Sequence, residues 1–407
     1  MVKRSKLCRR PSVPVCSISD LSDELLIKIL SFLPTKVAVS TSILSKQWRF
    51  LWMWLPNLEY SSTSPIRSYY SKSPALVPRL NRSLVMLKLS GVTLVDVPST
   101  AACLPSLKTL RLQDLTEHSM GDITFVVPTL QRLSLFMADD WDLYGYVIDT
   151  PSLKYFKLED WNYWRHDIEI KDMPELKEAY VDAVSPVLKS VIGSIISVKH
   201  LTICSEISKS CGEYSGGFVF NQLKHLKQCV CKENSSDLLG QLLKDSPNSR
   251  LLDISHMEDH GDDERNEMVC WNQPSPVPEC LLSSLQTLNW SRYFGRSHER
   301  DIADHGDDER NEMVCWNQPS PVPECLLSSL QTLNWSRYFG RSHERDIAVY
   351  ILKHARRLKK ARIIADTQEH DVPNLEMITE LALSSRASSR CELVFVKGPP
   401  VWKDKED

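Results

Sequence analysis

Residues 105–112 read PSLKTLRL, 128–135 read PTLQRLSL, 151–158 read PSLKYFKL and 174–181 read PELKEAYV. Each octapeptide carries a proline, an apolar residue two places on, and two more apolar residues separated by a single position. Each begins 23 residues after the one before it. Working outward, the triplet apolar-x-x-apolar-x-apolar stands at Leu84/Leu87/Leu89 on the upstream side. Downstream it continues at Val198/Leu201/Ile203 and Leu223/Leu226, after steps of 22 and 25 residues. Alternation at the end of each triplet fits a short strand with one face turned inward, and one such unit cannot bury that face alone. Stacking successive units solves the problem. Proline is tolerated before a strand but not within it, so Pro105, Pro128, Pro151 and Pro174 mark where units open. The pattern predicts a solenoid of parallel strands in the α/β class. No dependable asparagine follows the strand.

Ahead of the repeats lies a helical segment, ISDLSDELLIKILSFLPTKVAVSTSILSKQWRFLW. Ser22 is placed to cap a helix whose first turn holds Asp23 and Glu24, where the helix dipole favours anions. Leu25, Leu26, Ile29, Leu30 and Leu33 then form a broad stripe at helical spacing. Pro34 stops that helix, Thr35 is placed to cap the next, and a third stripe runs through Leu44, Trp48, Leu51 and Trp52. About forty residues fall below the size at which a core suffices for itself, so the unit needs a partner or the adjoining repeats.

The run Leu21-Ser22-Asp23-Glu24-Leu25-Leu26, then Ile29-Leu30-Ser31-Phe32-Leu33-Pro34-Thr35-Lys36, then Leu44-Ser45-Lys46-Gln47-Trp48-Arg49 and Leu51-Trp52 resembles a plant F-box. That resemblance implies docking on a Skp-like adaptor, and through it on cullin and RING subunits of a ubiquitin ligase. The implied contact residues are Leu21, Ser22, Leu25, Leu26, Ile29, Leu30, Leu33, Pro34, Leu44, Trp48 and Leu51, read as anchors of a helix-in-groove interface. The family usually has proline where Ser22 stands, which implies a modest loss of affinity.

Toward the C-terminus, Trp316-Asn317-Gln318-Pro319 and Val322-Pro323-Glu324-Cys325-Leu326 lead to Leu330-Gln331-Thr332-Leu333-Asn334-Trp335 and a turn at Gly340. A helix with Ile347, Ile351, Ala355 and Leu358 on one face follows, then the strand-like Lys359 to Ile364 and later Cys391 to Phe395. This order resembles an FBD domain, which in plants follows an F-box and leucine-rich repeats. Residues 259–303 recur without one change at 304–348. The first copy's helix runs into Asp304-His305-Gly306, which supplies no apolar face, so the expectation is that one copy, by this reasoning the first, is extruded or packs poorly. The rival expectation is that 45 residues nearly match two 23-residue units and extend the solenoid in register.

These readings divide the chain into a basic disordered leader (1–17), an F-box (18–60), a linker (61–82) and leucine-rich repeats (83–255). The first copy (259–303), the second copy with the FBD domain (304–396) and a tail (397–407) complete it. Between Tyr60 and Leu84 the linker is short and rich in serine, tyrosine and proline, where related proteins generally carry more repeat units.

The chain has 407 residues, of which 42% are apolar and 25% charged. Wholesale disorder is thereby excluded, and no apolar run is long enough for a membrane span. The opening MVKRSKLCRR lacks the apolar core of a secretory signal, which leads to the expectation of a cytoplasmic or nuclear protein with reduced thiols. The 12 cysteines have no zinc-finger spacing and read as small buried hydrophobes. Each copy of the repeated segment carries eight acidic residues and four arginines, so counting it once turns the net charge from -3 to +1. The sign of the charge is therefore the duplication's.

The basic run His354 to Arg362 reads as a solvated helix end. Lys3, Arg4, Lys6, Arg9 and Arg10 read as a basic leader, and His260 with Asp262, Asp263 and Glu264, like their twins from His305, as solvated loops. No nucleophile elbow, zinc-protease motif, phosphate loop or dinucleotide fingerprint occurs. The expectations are no catalytic residue, cofactor, metal, nucleic acid or membrane. The family resemblance implies a substrate receptor that holds an unknown protein target for ubiquitination. The alternatives are a repeat module whose F-box has no ligase role, and an enzyme, for which no constellation speaks.

Overall fold

A computed structural model describes residues 18, 21–61, 83–91, 93–94, 104–113, 116–117, 123–137, 145–162, 167–205, 217–229, 235–255, 280–291, 322, 324–338, 340, 342–365 and 375–397. Thirteen strands, ordered in space as in sequence, form one sheet from Asn57–Ser61 to Glu392–Lys397. Every neighbouring pair is parallel. The register follows the triplets: Leu87 lies beside Leu110, Leu110 beside Leu133, Leu133 beside Phe156, and Phe156 beside Ala179. All five are buried. Apolar side chains thus stack from rung to rung into one continuous core, as a solenoid requires.

The segment before each strand is a tight reversal. Leu107 N–H donates to Leu104 O at 3.1 Å, Leu130 to Val127 O at 3.0 Å, and Leu153 to Thr150 O at 3.1 Å. Pro105, Pro128 and Pro151 sit inside these turns, where a missing N–H costs nothing. Hydroxyls tie one turn to the previous unit: Thr129 Oγ1 donates to Leu107 O at 3.0 Å, Ser197 Oγ to Met173 O at 2.8 Å, and Ser329 Oγ to Leu285 O at 2.7 Å. Such bonds satisfy backbone carbonyls in the way an asparagine ladder would.

The side opposite the large sheet is irregular. Ile123–Val126, Gly145–Asp149 and Asp167–Ile170 form a three-stranded parallel sheet. A Cβ at Gly145 would lie 2.2 Å from Asp167 O, so this close strand approach needs glycine. Later units use helices instead, at Ser185–Ile192, Ser235–Lys244 and Ser342–His354. In the last, Ile347 and Ile351 are buried, as are Ala355 and Leu358 just beyond it.

Four expectations change. First, Leu55/Leu58/Tyr60 is itself a triplet, and its strand Asn57–Ser61 is the first rung. It pairs directly with Met86–Ser90. Second, the first copy of the duplicated segment is not extruded where it is described. Its strand Thr287–Ser291 lies between Leu251–Ser255 and the second copy's strand Thr332–Tyr338. Each copy contributes one strand to the sheet among the described residues, and the copies pair in register, Leu288 beside Leu333.

Third, Cys204 and Cys229 are joined as a disulfide. They occupy one register position on adjacent strands, and their Cα atoms lie 4.9 Å apart, within bridging reach. The expectation of reduced thiols therefore fails for this pair, while Cys280 and Cys391 are free and buried. Fourth, His354 to Arg362 is not a helix end throughout: the helix closes at His354 and Lys360–Ala365 is already a strand. The basic leader, the acidic histidine loops, Trp316 to Pro319 and the tail lie outside the described residues.

Candidate functional site

The N-terminal helices run Asp23–Leu30 and Thr35–Ser40, followed by short 3-10 turns at Thr41–Ile43 and Trp48–Trp54. Ser22 stands at the N-cap position, but its side chain makes no capping bond; its carbonyl accepts from Leu26 N–H at 3.0 Å. Gln47 instead ties the start of the helix to the later turn, its Nε2 donating to Asp23 Oδ1 at 3.0 Å and to Leu21 O at 3.3 Å. Thr35 does not cap: it is the first helical residue, preceded by Pro34. Its hydroxyl accepts from Glu59 N–H at 2.9 Å, which ties the helices to the first rung.

The apolar stripe divides into two sets. Leu26, Leu30, Trp48 and Leu51 are buried and join the core that continues into Leu55, Leu58 and Leu84. Leu21 is half-buried against the same core. Leu25, Ile29, Leu33 and Leu44 remain exposed, at 50%, 38%, 38% and 64%. Ser22 and Pro34 are exposed too. The idea that Leu25, Ile29 and Leu33 only pack the unit itself is thus not what the structure shows. Leu25 and Ile29 lie four residues apart on one side of the helix, where side chains line up, and Leu33 follows in the turn just beyond it.

Other apolar residues that the sequence reading did not single out widen the face. Phe32 is 80% exposed and Ile43 88%, with Phe50 and Trp54 also in solvent. Phe50 and Trp54 are four residues apart, which was a readable signal. Large exposed side chains concentrated in so short a segment form a patch of the kind that marks an interaction surface.

A second surface is the open face of the long sheet. Here the residue between the last two apolar positions of each triplet points away from the core. Most of the polar groups are matched. Lys88 pairs with Glu59 at 3.2 Å and Lys157 with Glu159 at 2.8 Å. Arg132 lies 4.1 Å over the Tyr155 ring, and Lys157 lies 4.6 Å from the Tyr180 ring centroid. Further along, His225 Nε2 meets Asp253 Oδ2 at 2.6 Å, Asn289 Nδ2 donates to Asp253, and Asn334 Nδ2 donates to Asn289 Oδ1 at 2.8 Å. Among the described residues no group of histidine, cysteine and carboxylate side chains is arranged to hold a metal, and no helix is long and apolar enough to cross a membrane.

A helical unit that keeps an apolar face in solvent, fused to the first rung of a parallel-strand solenoid with a polar open face, defines a repeat scaffold with a distinct helical end. Comparison with known families agrees. An F-box domain model matches residues 18–60, and an FBD model matches residues 273–305 and 318–363. An FBD-associated F-box protein of Arabidopsis thaliana is 43% identical over 449 residues, covering 89% of this chain and 97% of the relative. A putative FBD-associated F-box protein of the same plant is 41% identical, covering 93% of this chain and 98% of the relative. A putative F-box/FBD/LRR-repeat protein is 31% identical, covering 93% and 99%. The chain belongs to the family of FBD-associated F-box proteins.

Proposed function

We propose that this chain is a non-catalytic substrate-receptor subunit of a Skp/cullin/F-box ubiquitin ligase. The observation that carries this reading is the exposed set Leu25, Ile29, Leu33 and Leu44, widened by Phe32, Ile43, Phe50 and Trp54, beside the buried Leu26, Leu30, Trp48 and Leu51. In a folded chain, such a face gains free energy only by meeting a partner; burial of apolar area is worth roughly 25 cal/mol per Å². The partner that the F-box family membership suggests is a Skp-like adaptor, with cullin and RING subunits beyond it. The repeats and FBD rungs hold the protein target, and the mechanism is proximity: a held target presents its lysines to a charged conjugating enzyme at high effective concentration.

Leu26, Leu30, Trp48 and Leu51 belong to this interface indirectly, as the packing that holds the exposed residues in place. Co-purification with a Skp-like adaptor tests the reading. The wild-type chain retains the adaptor and the Leu25→Asp/Leu33→Asp double variant does not. Equal capture by both would remove the ligase assignment.

A further inference from the structure

Just before each strand, one position of every unit carries a side chain at the mouth of the sheet. Along five consecutive rungs this position is Lys154, Lys177, Lys199, Lys224 and Arg250. Their backbones are bonded one to the next: Lys177 N–H donates to Lys154 O at 3.0 Å, Lys199 to Lys177 O at 2.8 Å, Lys224 to Lys199 O at 2.9 Å, and Arg250 to Lys224 O at 2.9 Å. Five cations therefore stand in single file, held by the backbone ladder. Lys177, Lys199, Lys224 and Arg250 are exposed and Lys154 is half-buried.

Among the described residues no carboxylate matches the column. Lys88 and Lys157 have their carboxylates, and Lys359, at the same position further along, donates to Gln331 Oε1 at 2.8 Å. None of the five forms an ion pair with a described residue. Exposed Glu178, next in sequence to Lys177, forms none with them either. Either side of the run the position turns neutral, with Gln131 before it and Gln286 and Gln331 after it. Adjacent like charges across strands are destabilising, so the fold accepts a repulsion along this column.

We infer that this column is the seat of an extended acidic segment of the protein target. The inference rests on the substrate-receptor reading above and names the chemistry its target must carry. Four strand intervals span about 19 Å, which about six residues of extended chain would cover. Carboxylates along such a segment would neutralise the repelling cations, and the neighbouring Tyr155, Tyr180, His200 and His225 supply rings beside it. A nucleic-acid duplex suits the geometry less well, because the cations stand in one file.

The test uses the full chain and a fluorescein-labelled octaglutamate, with labelled octaglutamine as the neutral probe. Anisotropy shows the wild type binding octaglutamate and not octaglutamine, with affinity falling as salt rises. A Lys177→Glu/Lys199→Glu/Lys224→Glu variant loses at least about tenfold in affinity. An Arg356→Glu/Arg357→Glu/Arg390→Glu variant, with the same charge change away from the column, stays within about twofold. The Lys→Gln version of the column variant, checked for native circular dichroism, guards against misfolding and also binds weakly.

Equal losses in the two reversal variants, or no octaglutamate binding by wild type, would overturn the inference. So would tighter column-dependent binding of a duplex oligonucleotide or of phosphatidylserine vesicles than of the peptide. Adaptor capture measured on the same preparations separates the two proposals. Capture retained with peptide binding absent defeats only the column, and capture absent with peptide binding retained defeats only the ligase reading.

Discussion

Trp290 and Trp335 stack face to face, ring centroids 5.3 Å apart and planes 10° from parallel, and they are the same residue in two identical 45-residue copies. Because the copies pair in register, Leu251–Ser255 meets Thr287–Ser291 with the residues that it would meet at Thr332–Ser336 if the first copy were absent. The solenoid already contains the joint that a deletion would need.

Removing residues 259–303 is therefore expected to give a folded chain with one rung fewer. Nearest-neighbour additivity in repeat proteins predicts a loss of one unit and one interface without loss of cooperativity. The denaturant slope should fall by roughly a tenth, in step with the surface removed. Urea unfolding followed by circular dichroism checks this. A broad, non-cooperative transition would mean that the duplicated rung is required.

The N-terminal helices should separate stability from docking. Leu30→Ala removes a fully buried side chain and is expected to cost about 2–5 kcal/mol. Leu25→Asp, at a position 50% exposed, should change stability by no more than about 0.5 kcal/mol. Thermal unfolding of the two single variants beside adaptor capture shows the split: Leu25→Asp loses the partner while remaining folded.

This division was the part of the site that periodicity did not show. Leu25 and Leu26 are adjacent, so they stand about 100° apart around a helix. A stripe that contains both covers two directions, and only the position of the first rung decides which direction is core. That rung, Leu55/Leu58/Tyr60, was hidden because it falls within the segment assigned to the F-box and lacks the Pro-x-Leu opening. The solenoid itself was legible because its triplets repeat at a nearly constant step. The Cys204–Cys229 pair was legible in principle too, since each cysteine stands six places after the first apolar residue of its triplet, Val198 or Leu223. In sequence, however, Cys204 and Cys229 are 25 residues apart, so local spacing does not join them. The helical pattern after the first copy's strand breaks at Asp304-His305-Gly306, but a rung requires only Leu285, Leu288 and Trp290.

The basic column gives a prediction independent of any ligand. Lys199 has Lys177 and Lys224 on its two flanks, each one backbone hydrogen bond away. Lys199→Gln removes two like-charge repulsions and no side-chain hydrogen bond or ion pair to a described residue, so it is expected to stabilise the protein by about 0.2–1 kcal/mol at low salt. The gain should shrink as salt is added, because exposed charges are screened. Thermal midpoints of wild type and variant at two salt concentrations check the sign. A destabilised variant would mean that Lys199 has a packing role outweighing the repulsion.

Two buried phenols set the alkaline limit. Burial, reinforced by the Asp160 carboxylate that accepts the Tyr146 hydroxyl at 2.9 Å, pushes the Tyr146 phenol well above its ordinary value of 10.0. Burial first, and then the charge of Glu344, pushes Tyr338 upward as well. In the unfolded chain both phenols release their protons near the ordinary value, while in the folded chain both keep them at higher pH. Above that value the unfolded state binds fewer protons, so stability falls as pH rises. The contribution is fully present below about pH 10 and is lost above it, at up to about 1.4 kcal/mol per pH unit for each phenol. Urea midpoints measured between about pH 8 and about pH 11 should show this decline. Tyr338→Phe, which removes one titrating group, should make it shallower. Tyr146→Phe should do the same while lowering stability at neutral pH by about 1–3 kcal/mol, because Asp160 then loses a buried donor and keeps only the Asn162 N–H at 3.1 Å and its remaining contacts.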